Sequence, residues 1–449
     1  MPRLLMKTLA ALTIFVCAVP MSAQDAARSK RREPKPEVHY PLTADSLNQE
    51  DVPQGKLEGP FLFQSKIIEN TIRRYWVFVP AQYDPAQAAC VLVFQDGARA
   101  TKPDGVLRVQ NVLENLIARK QIPVTIGIFI TPGQRGTEFP DSIGTGNPDN
   151  RDREYDVLDD RYACFMIDEM LPEVGTKYNL TQDPAGRTIG GSSSGAICAF
   201  TVAWHRPEAF RNVVSMIGSF TDIHGGHAYP DLIRLSARKP IRIFLQDGVN
   251  DLRNPDNLER DWHIQNQKMV AALVEQEYDC AYVFGDGGHS DDHGGALLPL
   301  MLRWVWRDYP GVEDSNIDLI AEAAAIKPEF VELFPGYDSS ASVDPTGSWS
   351  WERRFGRTAV TSTLTLKLDN DKLSGLLKTQ RGNADPVTEF ILEPVTDGNK
   401  ISFDVIQKFG GNEVPMTFHG ILEGDTMTGW QLMNFGGQNR DLRWQAKRK

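Results

Sequence analysis

The chain has 449 residues, 41% hydrophobic and 24% charged, with 37 Gly and 28 Pro. That composition excludes a fibrous or wholly disordered protein. Its 48 Lys plus Arg against 59 Asp plus Glu give a net charge of −11. Such an acidic balance offers no electrostatic footprint for nucleic acid or for an anionic membrane surface.

Arg3 and Lys7 precede an apolar run of 12 residues, Thr8 to Val19, which Pro20 ends and Ser22-Ala23 follows. A membrane span needs roughly 20 apolar residues. Residues 1–23 therefore read as a secretory signal cleaved after Ala23, leaving no integral membrane segment. The alternative is a buried N-terminal helix. Export to the periplasm or the medium is the expectation, and loss of Arg3 and Lys7 deepens the charge from −11 to −13. Cys17 leaves with the signal. Cys90, Cys164, Cys198 and Cys280 are widely spaced in apolar segments with no CxxC pair, so buried thiols are expected rather than a zinc site or a disulfide frame. Residues 24–55, which include Lys30-Arg31-Arg32-Glu33-Pro34-Lys35-Pro36, read as a flexible leader.

From 56 to 312, apolar strands alternate with helical stretches. Arg74 to Val79 is rich in aromatic and β-branched residues. Cys90-Val91-Leu92-Val93-Phe94, Val124 to Ile130, Ile241 to Leu245 and Ala281 to Phe284 are short runs without alternation. Such runs fit strands buried on both faces of a mostly parallel sheet. Leu158, Tyr162, Met166, Met170 and Val174 form the apolar row of a helix. The fold class is α/β, with helices on both faces of the sheet. Residues 313–344 read as a linker with helical character at Leu319 to Ala325. Beyond, period-two alternation (Leu364, Leu366, Leu368; Ile401, Phe403, Val405) is broken by turns such as Asp397-Gly398-Asn399 and Glu423-Gly424-Asp425. Residues 345–449 should form a small antiparallel β-barrel or sandwich.

The strongest chemical signal is Gly191-Ser192-Ser193-Ser194-Gly195, between a strand candidate (Gly186 to Gly190) and an apolar helix (Ala196 to Phe200). That context makes GxSxG a nucleophile elbow with Ser193 at its tip and the Ser194 N–H facing the oxyanion. Serine needs a base, and the base an orienting acid, each after a later strand. Ile241 to Leu245 leads to Asp247 and Asp251; Asp251, in the loop beyond, is the favoured acid and Asp247 its rival. Ala281 to Phe284 leads to His289 and His293; His289 is the favoured base, with His293 a substrate contact or a helix start.

Arg73-Arg74-Tyr75-Trp76-Val77-Phe78-Val79-Pro80, Val93-Phe94-Gln95-Asp96-Gly97, Gly190-Gly191-Ser192-Ser193-Ser194-Gly195 and Gly287-Gly288-His289, in that order, resemble the esterase D or enterochelin esterase-like group. These α/β-hydrolases include feruloyl and acetyl-xylan esterases, S-formylglutathione hydrolases and mycolyltransferases. The resemblance spans about 56 to 310. It implies an α/β-hydrolase fold, Ser193 as nucleophile, His289 as base, and an oxyanion hole at Ser194 and the Gly97-Ala98 region. Asp291-Asp292-His293-Gly294 stands where siderophore esterases would carry aromatic residues, which argues against a trilactone catecholate substrate. The C-terminal part is loosely similar to lipocalin-like β-modules.

Weaker signals surround these. The loop Thr221 to Pro230 would contact substrate through His227 and Tyr229; a metal site from His224 and His227 lacks a third ligand. Asn150-Arg151 to Glu154-Tyr155 would line the pocket. Trp349, Trp351, Trp430 and Trp444 would either stack on sugar or fill a core. The reading is an exported serine esterase acting on a small-molecule or glycan-linked ester, with no metal or cofactor required. An acyltransferase with a carbohydrate acceptor and a non-catalytic glycan-binding protein are the alternatives.

Overall fold

The computed structural model describes residues 31–449 except 36, 144–146, 314, 315, 356, 357, 371, 410, 411, 436 and 437. The segment read as a signal lies outside the described residues. Lys56–Ser65 (β1) and Thr71–Val79 (β2) form a hairpin; Cys90–Gln95 (β3), Thr125–Ile130 (β4), Arg187–Ser192 (β5), Asn212–Met216 (β6), Arg242–Gly248 (β7) and Asp279–Gly285 (β8) follow. Their order across the sheet is β8-β7-β6-β5-β3-β4-β2-β1. Strands β3 to β8 run parallel, and β1, β2 and the short strand Gln134–Arg135, which pairs with β2, are antiparallel to their neighbours.

The unalternating apolar runs are explained by two cores, one on each face. Along β3, Val91 and Val93 enter the core that holds Ser194–His205 (α2) and Trp262–Glu275 (α3). Leu92 and Phe94 enter the other, with Val109–Ala118 (α1) and Asp291–Trp306 (α4). Successive side chains of a strand point to opposite faces, so a strand covered on both sides must be apolar throughout. The exception is β8, the sheet edge, where Tyr282 is 49% exposed. An edge strand has one open flank and tolerates polar and exposed positions.

The C-terminal part is a separate antiparallel sheet of nine strands, from Gly347–Phe355 to Gln438–Arg448. Its first and last strands pair, with Trp349 opposite Arg448, so the sheet curls into a nearly closed barrel. The predicted turn glycines Gly398 and Gly424 both have φ +58°, a conformation that side-chain-bearing residues avoid. Trp349, Trp351, Trp430 and Trp444 are 0%, 7%, 5% and 4% exposed. Trp349, Trp351 and Trp444 fill the barrel core, and the Trp430 indole N–H donates to the Leu333 carbonyl. None of the four forms an exposed stacking platform for sugar.

Of residues 24–55, read as a flexible leader, the described ones (31–35 and 37–55) are packed instead. Glu37–His39 pairs antiparallel with Glu329–Val331 of the linker, and Tyr40 and Ser46 are buried. Composition hid this, because the partner strand lies at the far end of the hydrolase fold. The linker helix Leu319–Ala325 packs on the α1/α4 core, with Glu322 paired to Arg303. Cys90, Cys164, Cys198 and Cys280 are free, Cys90 and Cys198 buried and the others half-buried. No helix among the described residues is long and apolar enough to cross a membrane.

Candidate active site

Strand β5 is fully buried and ends where α2 begins, and Ser193 between them has φ 58°, ψ −122°. A Cβ on Gly191 would stand 2.7 Å from the Gly195 carbonyl carbon, so the strand and helix approach this closely only because glycine occupies the position. The Ser193 N–H donates to Met216 O at 2.9 Å, and the Ser219 N–H donates to Ser193 O at 3.1 Å. These bonds hold a backbone conformation that costs strain.

The loops after β7 and β8 are laced together. Val249 N–H donates to Gly285 O (2.8 Å) and Asn250 N–H to Gly287 O (3.1 Å). The Lys35 ammonium, on the segment read as leader, donates to the carbonyls of Asn250 and Asp251 at 3.0 and 3.1 Å. The Lys35 amide donates to Asp441 of the barrel, and the Tyr40 hydroxyl accepts from Asp286 N–H. One extended segment thus ties the barrel to both loops.

Between these loops and the elbow, Ser193 Oγ lies 2.8 Å from His289 Nε2, and His289 Nδ1 lies 2.6 Å from Asp251 Oδ1. Asp251 Oδ1 also accepts the Leu252 N–H. A carboxylate beside Nδ1 fixes the tautomer, with the proton on Nδ1 and the Nε2 lone pair toward Ser193. Burial alone would push the Asp251 carboxyl up, but the His289 imidazole holds it below its ordinary value. Asp247 is the opposite case: burial, with the charge of Asp251 beside it, pushes its carboxyl well above the ordinary value. The Trp262 ring lies edge-on to His289, with centroids 5.6 Å apart.

Ser193 and His289 open into a cleft of about 600 Å³ whose walls include Ala98, Pro132, Pro148 and Ile217. Its rim is a charged lattice absent from the sequence reading. Arg151 grips Asp96 through two nitrogens (2.9 and 2.7 Å), and Arg99 bridges Asp96 and Asp291 (both 2.9 Å). Burial would push the Asp96 carboxyl up, yet Arg151 and Arg99 hold it down. Arg151 and Asp152 line the cleft as their segment suggested. That segment is anchored by Glu154, buried in an ion pair with Arg73 of β2 at 3.2 Å.

Three residues expected to touch substrate stand elsewhere. Tyr229 is fully buried, its hydroxyl 2.7 Å from Thr201 Oγ1, within a cluster of Phe200, Trp204 and Phe220. His293 stacks on Tyr40 at 3.9 Å with Nδ1 3.2 Å from Gln246 Nε2, and burial lowers its pKa to about 4. It is a packed, neutral side chain of α4. His227 sits between Asp222 (3.3 Å) and Glu259 (3.9 Å), outside the cleft lining. The loop reaches the rim through His224, 3.5 Å from Asp152. Gly97 and Ala98 open a single helical turn after β3, behind Asp96 at φ 54°, and Ala98 faces the cleft.

With this geometry in view, the family described as "Putative esterase" matches residues 65–304, more than half of the chain. The protein belongs to that esterase family. Among curated relatives, this chain is 21% identical over 209 residues to the uncharacterized protein YbbA of Bacillus subtilis, covering 46% of this chain and 80% of that one. It is 23% identical over 229 residues to the uncharacterized protein YjcH of the same organism, covering 51% and 88%. Among solved structures it is similar to the enterobactin esterase FES of Shigella flexneri, with TM-score 0.45 and 23% identity over 60% of this chain and 63% of that one. A ferulic acid esterase of Anaeromyces mucronatus gives TM-score 0.45 and 16% identity over 59% and 97%. The chain thus spans less than two thirds of the Shigella enzyme's length.

One further group beside the site stands out. Asp156 is 1% exposed and faces the Ser194 hydroxyl; burial raises its pKa to about 7, against the pull of Ser194 and Arg151. An unfolded Asp titrates near 3.9, so stability is intact below about pH 4 and falls as pH rises toward 7, by about 4 kcal/mol in all. Asp156→Asn, neutral in both states, is expected to melt several degrees above wild type at pH 8 and level with it at pH 4. Equal melting at pH 8 would contradict a buried carboxyl with a pKa raised to about 7.

Proposed function

We propose that the protein is an exported serine esterase that hydrolyses a carboxylic ester through an acyl-enzyme on Ser193. The observation that carries this reading is the continuous hydrogen-bond line Ser193–His289–Asp251, at 2.8 and 2.6 Å, at the mouth of the cleft. His289 Nε2 takes the Ser193 proton as Oγ attacks the ester carbonyl, and Asp251 stabilises the imidazolium that forms. The oxyanion is received by the N–H of Ser194, which opens α2 where backbone amides lack helical partners, and by an N–H of the Gly97-Ala98 turn. His289 then protonates the leaving alcohol. Water activated by the same imidazole releases the acid and restores Ser193.

The cleft favours an uncharged ester, of the feruloyl or acetyl kind carried on a glycan or small molecule. Arg99 and Arg151 are both already committed to Asp96, so an anionic substrate would have to displace a carboxylate. Export rests on the N-terminal segment alone. A panel of p-nitrophenyl acetate, methyl ferulate and a catecholate trilactone tests the reading. Turnover of the uncharged esters is expected, with the trilactone slowest. Folded protein inert toward all three would overturn it.

A further inference from the structure

We propose that Ser219 is a further catalytic residue, whose hydroxyl donates to the Ser193 Oγ in a direction imposed by Trp262. The inference rests on the reading of Ser193 as the nucleophile. Ser219 follows β6 on the same rim of the sheet as the elbow, and its Oγ lies 3.1 Å from Ser193 Oγ. On its other side, the Trp262 indole Nε1 lies 3.2 Å from Ser219 Oγ. An indole N–H only donates, so Ser219 Oγ accepts there.

The remaining hydrogens then have one arrangement. His289 Nδ1–H is spent on Asp251, so Nε2 must accept, and the single Ser193 hydrogen goes to it. The contact between the two serines can be filled only by the Ser219 hydrogen. The line runs Trp262 N–H to Ser219 O–H to Ser193 O–H to His289, every donor pointing toward the base. As His289 draws the proton away, negative charge grows on Ser193 Oγ and the bond from Ser219 becomes charge-assisted. The same oxygen carries charge again when it leaves the acyl group, before His289 returns the proton.

The surroundings hold this arrangement rigidly. Ser219 is 1% and Trp262 5% exposed. The Ser219 N–H is bonded to Ser193 O, and Asn266 of α3, one turn beyond Trp262, donates to Gly218 O at 2.9 Å. Ile217 just before has φ +43°, a strained conformation for a β-branched residue, at the edge of the cleft.

The test is the second-order rate of labelling by a fluorophosphonate, which reports attack by Ser193 without a leaving alcohol, measured beside kcat/KM. Ser219→Ala is expected to slow both by about 10–100-fold, the range for a hydrogen bond to a charged group. Trp262→Phe keeps a ring beside His289 but loses the donor, so it should fall by a smaller factor, and the double variant should be no slower than Ser219→Ala. Wild-type labelling with an unslowed Ser219→Ala overturns the inference, as do additive losses in the double variant. If Ser219→Ala fails to fold, an unslowed Trp262→Phe overturns it. A folded wild type that takes no label overturns the serine reading itself and the inference with it.

Discussion

Replacing His289 by alanine is expected to lower kcat/KM on p-nitrophenyl acetate by about 10⁴-fold or more, with the fold unchanged by circular dichroism. The size follows from the proposed role: without a base, Ser193 would have to lose its proton to water, and the oxyanion donors alone would remain. His289 is half-buried at the cleft mouth, so the truncation disturbs little packing. His293 cannot substitute. Its ring is locked against Tyr40 and Gln246, and a Cβ placed on Gly285 would stand 2.4 Å from it. A His289→Ala enzyme within tenfold of wild type would remove His289 from the mechanism.

The two aspartates give the second large effect, and they separate sharply. Asp251→Asn keeps the shape but offers an amide N–H or a weak carbonyl where a carboxylate stood. The imidazole then loses both its fixed tautomer and its counter-charge, and kcat is expected to fall by about 10⁴-fold. Asp247 is held neutral by burial and by the charge of Asp251 beside it, while its Oδ2 lies 3.3 Å from His263 Nδ1. Asn at 247 is equally neutral and nearly the same shape, and the residue touches neither Ser193 nor His289, so Asp247→Asn is expected to cost less than about tenfold, within about 1 kcal/mol. The two kcat values measured side by side decide it. A larger loss at 247 would exchange the roles.

Much of this site is legible in the chain because its parts sit at predictable places. Glycine at 191 and 195 marks a strand and helix meeting at a serine, and parallel strands advertise themselves as apolar runs. Loops at their carboxyl ends must then gather on one rim, which brings Asp251 and His289 to Ser193. What the sequence hides is orientation and distant partnership. Tyr229 and His293 lie beside the rim in sequence, but their helices turn them into the core. The tryptophans of the barrel look like a platform until the sheet closes over Trp349, Trp351 and Trp444. The described residues between Arg31 and Tyr40 look solvated, yet pair with residues of the linker, the barrel and the loops after β7 and β8 that only folding brings near. Ser219 carries no motif; its one signal is its place directly after β6, on the rim that the elbow shares.

In the proposed mechanism an ester's acyl group resides on Ser193 during turnover. Intact-protein mass spectrometry of the enzyme acid-quenched during reaction with a slowly hydrolysed aryl ester tests it directly. One added acyl mass is expected, located by peptide mapping to Ser193, and none in Ser193→Ala. Turnover of that ester with no acylated species in wild type, or an acyl group carried equally by Ser193→Ala, would contradict it.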